Sequence, residues 1–299
     1  MTKFIFKIFV FFILTFIIFF IDLPKAFSNI EPFIIRLEPN FLFQGGVQKV
    51  EIFKNSNCEL VSVYFKSKKI PIKKLKDNQY VLILGASLNE NPGAKKLKIT
   101  YRCNQKEEVY VKNIIVKRKQ YPKEFLKVPK KMVSFPPKIL KRVLSDQEVI
   151  KSICKKMGKK IYWDFPFIWP VKKDISSPFG LKRYFNNEPR SPHSGVDLRA
   201  KENTPIRCPN NGQVALVRDC YLSGKTVIID HGGGLYTLYA HLNRVDVKQG
   251  QFVKKGQIIG LSGCTGRITG PHLHFGLSLY GTRVDPVSFM KLFGTINAN

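Results

Sequence analysis

The run Gly270-Pro271-His272-Leu273-His274-Phe275-Gly276-Leu277 alternates small or polar side chains with large apolar ones. On a β-strand successive side chains point to opposite faces, so His272, His274 and Gly276 share one face while Leu273, Phe275 and Leu277 share the other. A chain carrying this segment must bury the apolar face in a core and turn two imidazoles toward a cleft. Residues two apart on a strand sit roughly 6.5 to 7 Å apart at Cα. One imidazole can therefore bind a metal while the other reaches the water or substrate beside it.

All five histidines of the 299-residue sequence lie between His193 and His274. Four of them join Asp197 in the order His193-x-x-x-Asp197, Tyr239-Ala240-His241 and His272-Leu273-His274. Pro192, Ser194, Gly195 and Val196 favour a loop running into a short strand around the first pair, rather than a helix. Two neutral imidazoles and one carboxylate suit zinc, and three protein ligands leave the fourth tetrahedral position for water, the arrangement of a catalytic site. The six cysteines contain no C-x-x-C pair that would hold a structural zinc. An H-E-x-x-H motif is also missing, so no glutamate base stands beside the ligands and the remaining histidines must move protons. The fifth histidine, His231, precedes Gly232-Gly233-Gly234 and reads as a turn residue. Cys264, close in sequence to the His272/His274 pair, reads as a small packing residue rather than a nucleophile.

The chain resembles the lysostaphin-type or LytM-domain zinc endopeptidases that cut peptidoglycan cross-bridges. The resemblance rests on Ser177-Pro178-Phe179-Gly180, His193-Ser194-Gly195-Val196-Asp197, Gly212-Gln213-Val214, Tyr239-Ala240-His241-Leu242, Ser262-Gly263-Cys264-Thr265-Gly266, Gly270-Pro271-His272-Leu273-His274-Phe275 and Val284-Asp285-Pro286. It implies that His193, Asp197 and His274 bind one zinc ion per chain, and that His241 and His272 are the catalytic pair. All five positions are intact, whereas LytM-like domains that only activate other wall enzymes have lost ligands. In some members a polar side chain before the first histidine helps hold the oxyanion; Tyr184, Asn186, Asn187 and Arg190 are the candidates here.

Lys3 and Lys7, the apolar run 8–21 and Ala26-Phe27-Ser28 have the pattern of a secretory signal cleaved after Ser28. Phe4, Ile5 and Phe6 could instead extend the run into an uncleaved anchor. Export to the periplasm or cell envelope is expected either way, and it permits disulfides. Cys58 with Cys103 is the natural pair, because no other cysteine falls in the strand-rich N-terminal region. Cys208 with Cys220 is rejected, since a hairpin would hold them roughly 20 Å apart.

The expected fold is mainly β. Residues 29–118 read as a β-sandwich from short runs at 47–53, 60–65, 80–84, 97–101 and 109–116, vaguely similar to the immunoglobulin-like domains that precede some lysostaphin-type peptidases. Residues 119–168 read as a linker with two short helices, the second beginning at a capping box, Ser145-Asp146-Gln147-Glu148. Their apolar faces are expected to pack on a neighbouring domain, with cover of the catalytic groove as the sharper alternative. Residues 169–299 read as an antiparallel β peptidase domain of the LytM type.

The excess of 50 Lys and Arg over 21 Asp and Glu gives a formal charge of +29. An exported chain without a nucleic-acid-binding motif is not expected to bind nucleic acid. Anionic envelope polymers are the better partners, with peptidoglycan as substrate and contact with the membrane only through an uncleaved N-terminus. The sequence is silent on oligomeric state. The function expected is a secreted zinc-dependent endopeptidase on peptidoglycan cross-links. The alternatives are a non-catalytic LytM-like activator or a zinc peptidase acting on protein.

Overall fold

Alternating apolar and lysine-rich positions build the N-terminal sheets. In the strand Gly93–Cys103, Leu97, Ile99 and Tyr101 are buried while Lys96, Lys98 and Arg102 are exposed, the half-buried pattern of an antiparallel sheet with one wet face. The computed structural model describes residues 33–54, 58–128, 134–158 and 160–295; the expected leader lies outside them. None of the described helices is long and apolar enough to cross a membrane.

The fold is mainly β. One N-terminal sheet orders the strands Phe33–Glu38, Val47–Lys54, Gln79–Gly85 and Lys73–Lys76. A second orders Leu42–Phe43, Lys106–Lys117, Gly93–Cys103, Cys58–Phe65 and Lys68–Lys69. Val50 and Ile52 from the first sheet and Val63, Leu97, Ile99 and Ile114 from the second are fully buried in one cluster. Cys58 and Cys103 face each other in the register of the second sheet and are disulfide-bonded, as expected. Cys208 and Cys220 are both free.

The C-terminal region forms a ten-stranded antiparallel sheet. At its centre His272–Leu279 pairs with Gly195–Arg199 on one side and Leu235–Val245 on the other. Val196, Leu198, Tyr239, Leu273 and Phe275 are fully buried together on one face. Leu277 belongs instead to the N-terminal cluster, which also takes in Trp163, Phe167, Leu279, Val284, Phe289 and Phe293. Hydrogen bonds cross at the same place, from Tyr280 Oη to the Ile83 carbonyl and from the Asp285 amide to the Gly45 carbonyl.

The connecting region departs from expectation. Instead of two short helices there is one, α1, over Pro137–Lys155. Proline fits its first turn, where an amide hydrogen would have no partner. The expected capping box at Ser145 is not used. Residues on both sides of it keep helical hydrogen bonding, and Asp146 is employed in docking. Its buried carboxylate takes a bond from Arg218 Nε at 2.8 Å and another from the Tyr221 amide at 2.9 Å. Val149, Ile150, Ile153 and Cys154 lie against Leu216, Ile228, Tyr236, Leu238 and Ala240. Ala240 is the cross-strand partner of His274, so α1 covers part of the sheet face that carries His272 and His274. Ahead of it, Lys123–Leu126 pairs in parallel with Lys182–Phe185.

Of two further expectations, one gains a detail and the other needs correction. The backbone of His231 does lie in a turn, its amide donating to the Leu235 carbonyl, but its ring is completely buried. Nδ1 donates to the Asn211 carbonyl at 2.8 Å, Nε2 accepts from Thr237 Oγ1 at 2.7 Å, and Thr237 Oγ1 accepts from Tyr239 Oη at 2.7 Å. Every polar atom of that chain is satisfied only if the imidazole is neutral, and burial pushes its pKa down to about 4. Cys264, expected to be a packing residue, is exposed instead, because its neighbours turn back through the loop at Gly266.

Asp146→Ala removes a charge-assisted bond and leaves a buried amide without a partner, so a loss of about 2 kcal/mol is expected in urea unfolding. His231 sets a pH dependence. Below about pH 6.5 the unfolded chain takes up a proton that the folded chain refuses until about pH 4, so stability falls as pH drops through that window. The expected loss is about 3 kcal/mol at 1.36 kcal/mol per unit. A His231→Gln variant followed by denaturant unfolding at pH 7 and pH 4 should lack that part of the slope.

Candidate metal centre

Asp197 and His274 are direct cross-strand partners, as are Arg199 and His272. Because Val196, Leu198, Leu273 and Phe275 point into the core, the intervening side chains emerge on the opposite face. His193 lies just before the first of these strands. Its main chain is pinned to the Ser177-Pro178-Phe179-Gly180 turn: the Gly180 amide donates to the His193 carbonyl at 2.9 Å, and the His193 amide donates to the Leu181 carbonyl at 3.0 Å. Gly195 is required where it stands. A Cβ there would come within 2.5 Å of the Phe275 carbonyl and 2.8 Å of His274 Nε2.

Three donor atoms converge. His193 Nε2 lies 3.0 Å from Asp197 Oδ1 and 3.0 Å from His274 Nδ1, and His274 Nδ1 lies 2.9 Å from Asp197 Oδ1. No other arrangement of three or more potential ligands is found among the described residues. Burial by itself would raise the Asp197 carboxyl, but hydrogen bonds from His193 and His274 hold it far below the usual carboxylate range. Burial also lowers the pKa of His274. The donor chemistry fits a divalent cation. Two imidazole nitrogens and one carboxylate oxygen form a triangle close to the edge of about 3.3 Å that zinc–ligand bonds of 2.0 to 2.1 Å require.

His241 and His272 stand beside this triangle. The His241 and His272 ring centroids are 4.8 Å apart, and those of His241 and His274 are 6.1 Å apart. His272 Nε2 approaches Asp197 Oδ1 at 3.6 Å. Main-chain carbonyls set the tautomers. His241 Nδ1 is 2.9 Å from the Thr265 carbonyl, His272 Nδ1 is 2.9 Å from the Gly270 carbonyl, and His193 Nδ1 is 2.9 Å from the Pro178 carbonyl. A carbonyl can only accept, so each Nδ1 carries the proton; at His241 and His272 a neutral ring then keeps its lone pair on Nε2. Burial pushes the His241 imidazole down to about 4, which favours the neutral, proton-accepting form.

Alternation alone would send His241 to the face opposite Ala240. A shift of register in Leu235–Val245 intervenes, and His241 adopts the left-handed backbone region at φ 64°. That conformation costs a side-chain-bearing residue about 1 to 3 kcal/mol. The His241 amide donates to the Ser223 carbonyl at 2.8 Å and helps hold it.

The four oxyanion candidates lie around one hairpin. Tyr184 stacks on Phe125 with ring centroids 4.6 Å apart. Asn186 and Asn187 form the turn itself, both at positive φ, and Asn186 exchanges side-chain hydrogen bonds with the backbone of Val128. Arg190 pairs with Glu188 at 2.8 Å. Sequence reasoning missed a different chain of contacts from this hairpin. Glu124 Oε2 accepts from Arg183 Nε at 3.0 Å, Arg183 Nη2 donates to Ser177 Oγ at 3.0 Å, and Ser177 Oγ lies 3.3 Å from His193 Nδ1. Ser177 belonged to a quoted motif. Arg183 and Glu124 gave no signal, because they meet only through the parallel pairing of Lys123–Leu126 with Lys182–Phe185.

Comparison with known proteins finds similarity over the same region. The family model described as peptidase family M23 matches residues 191–286. Peptidoglycan DD-endopeptidase ShyA of Vibrio cholerae is 43% identical over 126 residues, covering 41% of this chain and 29% of that protein. DD-carboxypeptidase/endopeptidase Mpg of Neisseria meningitidis is 40% identical over 114 residues, covering 38% and 26%. The matches thus span less than a third of these curated relatives. A crystal structure from Pseudomonas aeruginosa assigned to peptidase M23 is similar over more of the chain, with 28% identity, a TM-score of 0.65, and coverage of 83% of this chain and 94% of that one. Residues 191–286, which match the model of peptidase family M23, contain the whole His193, Asp197 and His274 cluster.

Proposed function

We propose that the chain is an exported zinc-dependent endopeptidase that hydrolyses peptide cross-links of peptidoglycan. The observation that carries this reading is the convergence of His193 Nε2, Asp197 Oδ1 and His274 Nδ1 within 3.0 Å of one another, with two further imidazoles alongside. A domain that only activates another hydrolase has no need of all five groups. The names of the Vibrio and Neisseria relatives support peptidoglycan as the substrate.

In this reading His193, Asp197 and His274 hold the zinc ion. Bound there, zinc supplies Lewis-acid polarisation of the scissile carbonyl and lowers the pKa of water toward about 7. The remaining chemistry belongs to His241 and His272. A neutral imidazole with a free Nε2 lone pair takes the proton of the attacking water and passes it to the leaving amine. The second imidazole, in its protonated form, donates a hydrogen bond from Nε2 to the oxyanion of the tetrahedral species. Thr265 and Gly270 hold both rings in register through their carbonyls, so neither ring needs to reorient before the reaction.

The rest of the chain supports action in the cell envelope. The leader-like segment 1–28 directs export, residues 29–118 form an immunoglobulin-like sandwich, 119–168 connect, and 169–299 carry the peptidase. The formal charge of +29 draws the protein to anionic envelope polymers, an attraction that weakens with salt.

The full chain incubated with isolated sacculi should release uncross-linked muropeptides, with activity lost on chelation and restored by zinc. Asp197→Ala should lose bound zinc and activity together. His241→Ala should keep its zinc and lose turnover by about 10²- to 10⁴-fold. An unchanged muropeptide profile in the presence of chelator would remove the metal from the reaction, and a fully active His241→Ala protein would remove that residue.

A further inference from the structure

The sheet face bearing His272 and His274 continues along the same strand to Gly276 and Ser278, and Arg283 is the cross-strand neighbour of Ser278. Arg283 therefore emerges on the same side as the metal centre. Its side chain reaches back along the face, with Nη1 within 3.4 Å of the point that a Cβ on Gly276 would occupy.

Among the described residues Arg283 makes no hydrogen bond and no ion pair, unlike Arg183, Arg218 and Arg244, which each hold a carboxylate. It is partly exposed and lines an open groove of about 300 Å³. Pro192 and Ser194, on either side of His193, line this groove too, as do Ser87 and Asn89 from the loop between the strands Gln79–Gly85 and Gly93–Cys103.

A guanidinium offers five donors in a planar fork that matches a carboxylate. Leaving it unpaired beside a site built for a dication with only one carboxylate ligand places like charges together, and an anionic group in the groove relieves both. We propose that Arg283 is a specificity residue that binds a free carboxylate of the substrate peptide in this groove. The proposal rests on the peptidase reading above and narrows it. The preferred cross-link carries a free carboxylate close to the scissile bond, as a diamino-dicarboxylic acid does, whereas a neutral glycine bridge has none to offer.

The test uses the full zinc-loaded chain and two cross-linked muropeptide dimers that differ only in whether the carboxylate beside the cross-link is free or amidated. Amidation is expected to raise KM about tenfold with little change in kcat, the size of effect of one lost charge-assisted fork. Arg283→Leu should show the raised KM with the free acid and no further response to amidation, while Arg283→Lys should lie between. The comparison of substrates on the unaltered protein does not depend on the folding of any variant. Equal KM values for the two dimers overturn the inference and leave the peptidase reading standing. If neither dimer is cut, the peptidase reading fails. The inference is then read from calorimetric binding of the monomeric acid and amide muropeptides: tighter binding of the acid, lost in Arg283→Leu, upholds it, and equal affinity overturns it.

Discussion

The pairing of Asp197 with His274 across two antiparallel strands is the constraint on which the rest of the site depends. Side chains on a strand alternate faces, so a slip of one residue would exchange the imidazoles for Leu273 and Phe275. What prevents the slip is the core. Val196, Leu198, Leu273 and Phe275 are fully buried on the far side, and exposing them would cost several kcal/mol at about 1.5 to 3 kcal/mol per large apolar side chain. The ligand geometry is thus fixed by apolar packing behind it. The absence of a Cβ at Gly195 then lets the His274 ring settle against its neighbouring strand.

His241 and His272 reach the same place by different routes. His272 arrives by alternation, two residues from His274 on one face. His241 arrives through a bulge and a left-handed backbone, a conformation that most side chains pay to adopt and that the surrounding hydrogen bonds impose. Rings placed in two such ways, each held by a carbonyl on Nδ1, stand side by side with centroids 4.8 Å apart.

Local pattern made much of this legible in the sequence. The alternation from His272 to Leu277 announced the two-faced strand, and the strands around 213–218, 225–230 and 235–240 are all present, some of them longer. The Cys58–Cys103 bond followed from those being the only two cysteines in one strand-rich region. What was not legible depended on contacts far apart in sequence. Ser145 looks like a helix start until Asp146 is seen to dock on Arg218, 72 residues away. His231 reads as a turn residue, and the enclosure of its ring by Asn211 and Thr237 shows only in the fold. Glu124 and Arg183 carry no motif at all, and they matter only because a strand from the connecting segment lies alongside the hairpin that precedes His193.

The continuous apolar cluster that joins the N-terminal sheets to Leu277, Leu279, Val284, Phe289 and Phe293 bears on portability. These residues belong to the portion that carries His193, Asp197 and His274, yet they share one buried cluster with Phe33, Val50 and Ile52 on the other side of the junction. Cutting the chain between the two would strip a wall from a shared interior and leave bulky side chains wet on both pieces. The C-terminal portion is in this sense not a cassette to be grafted onto another carrier; its inward surface is finished by the N-terminal half of the molecule.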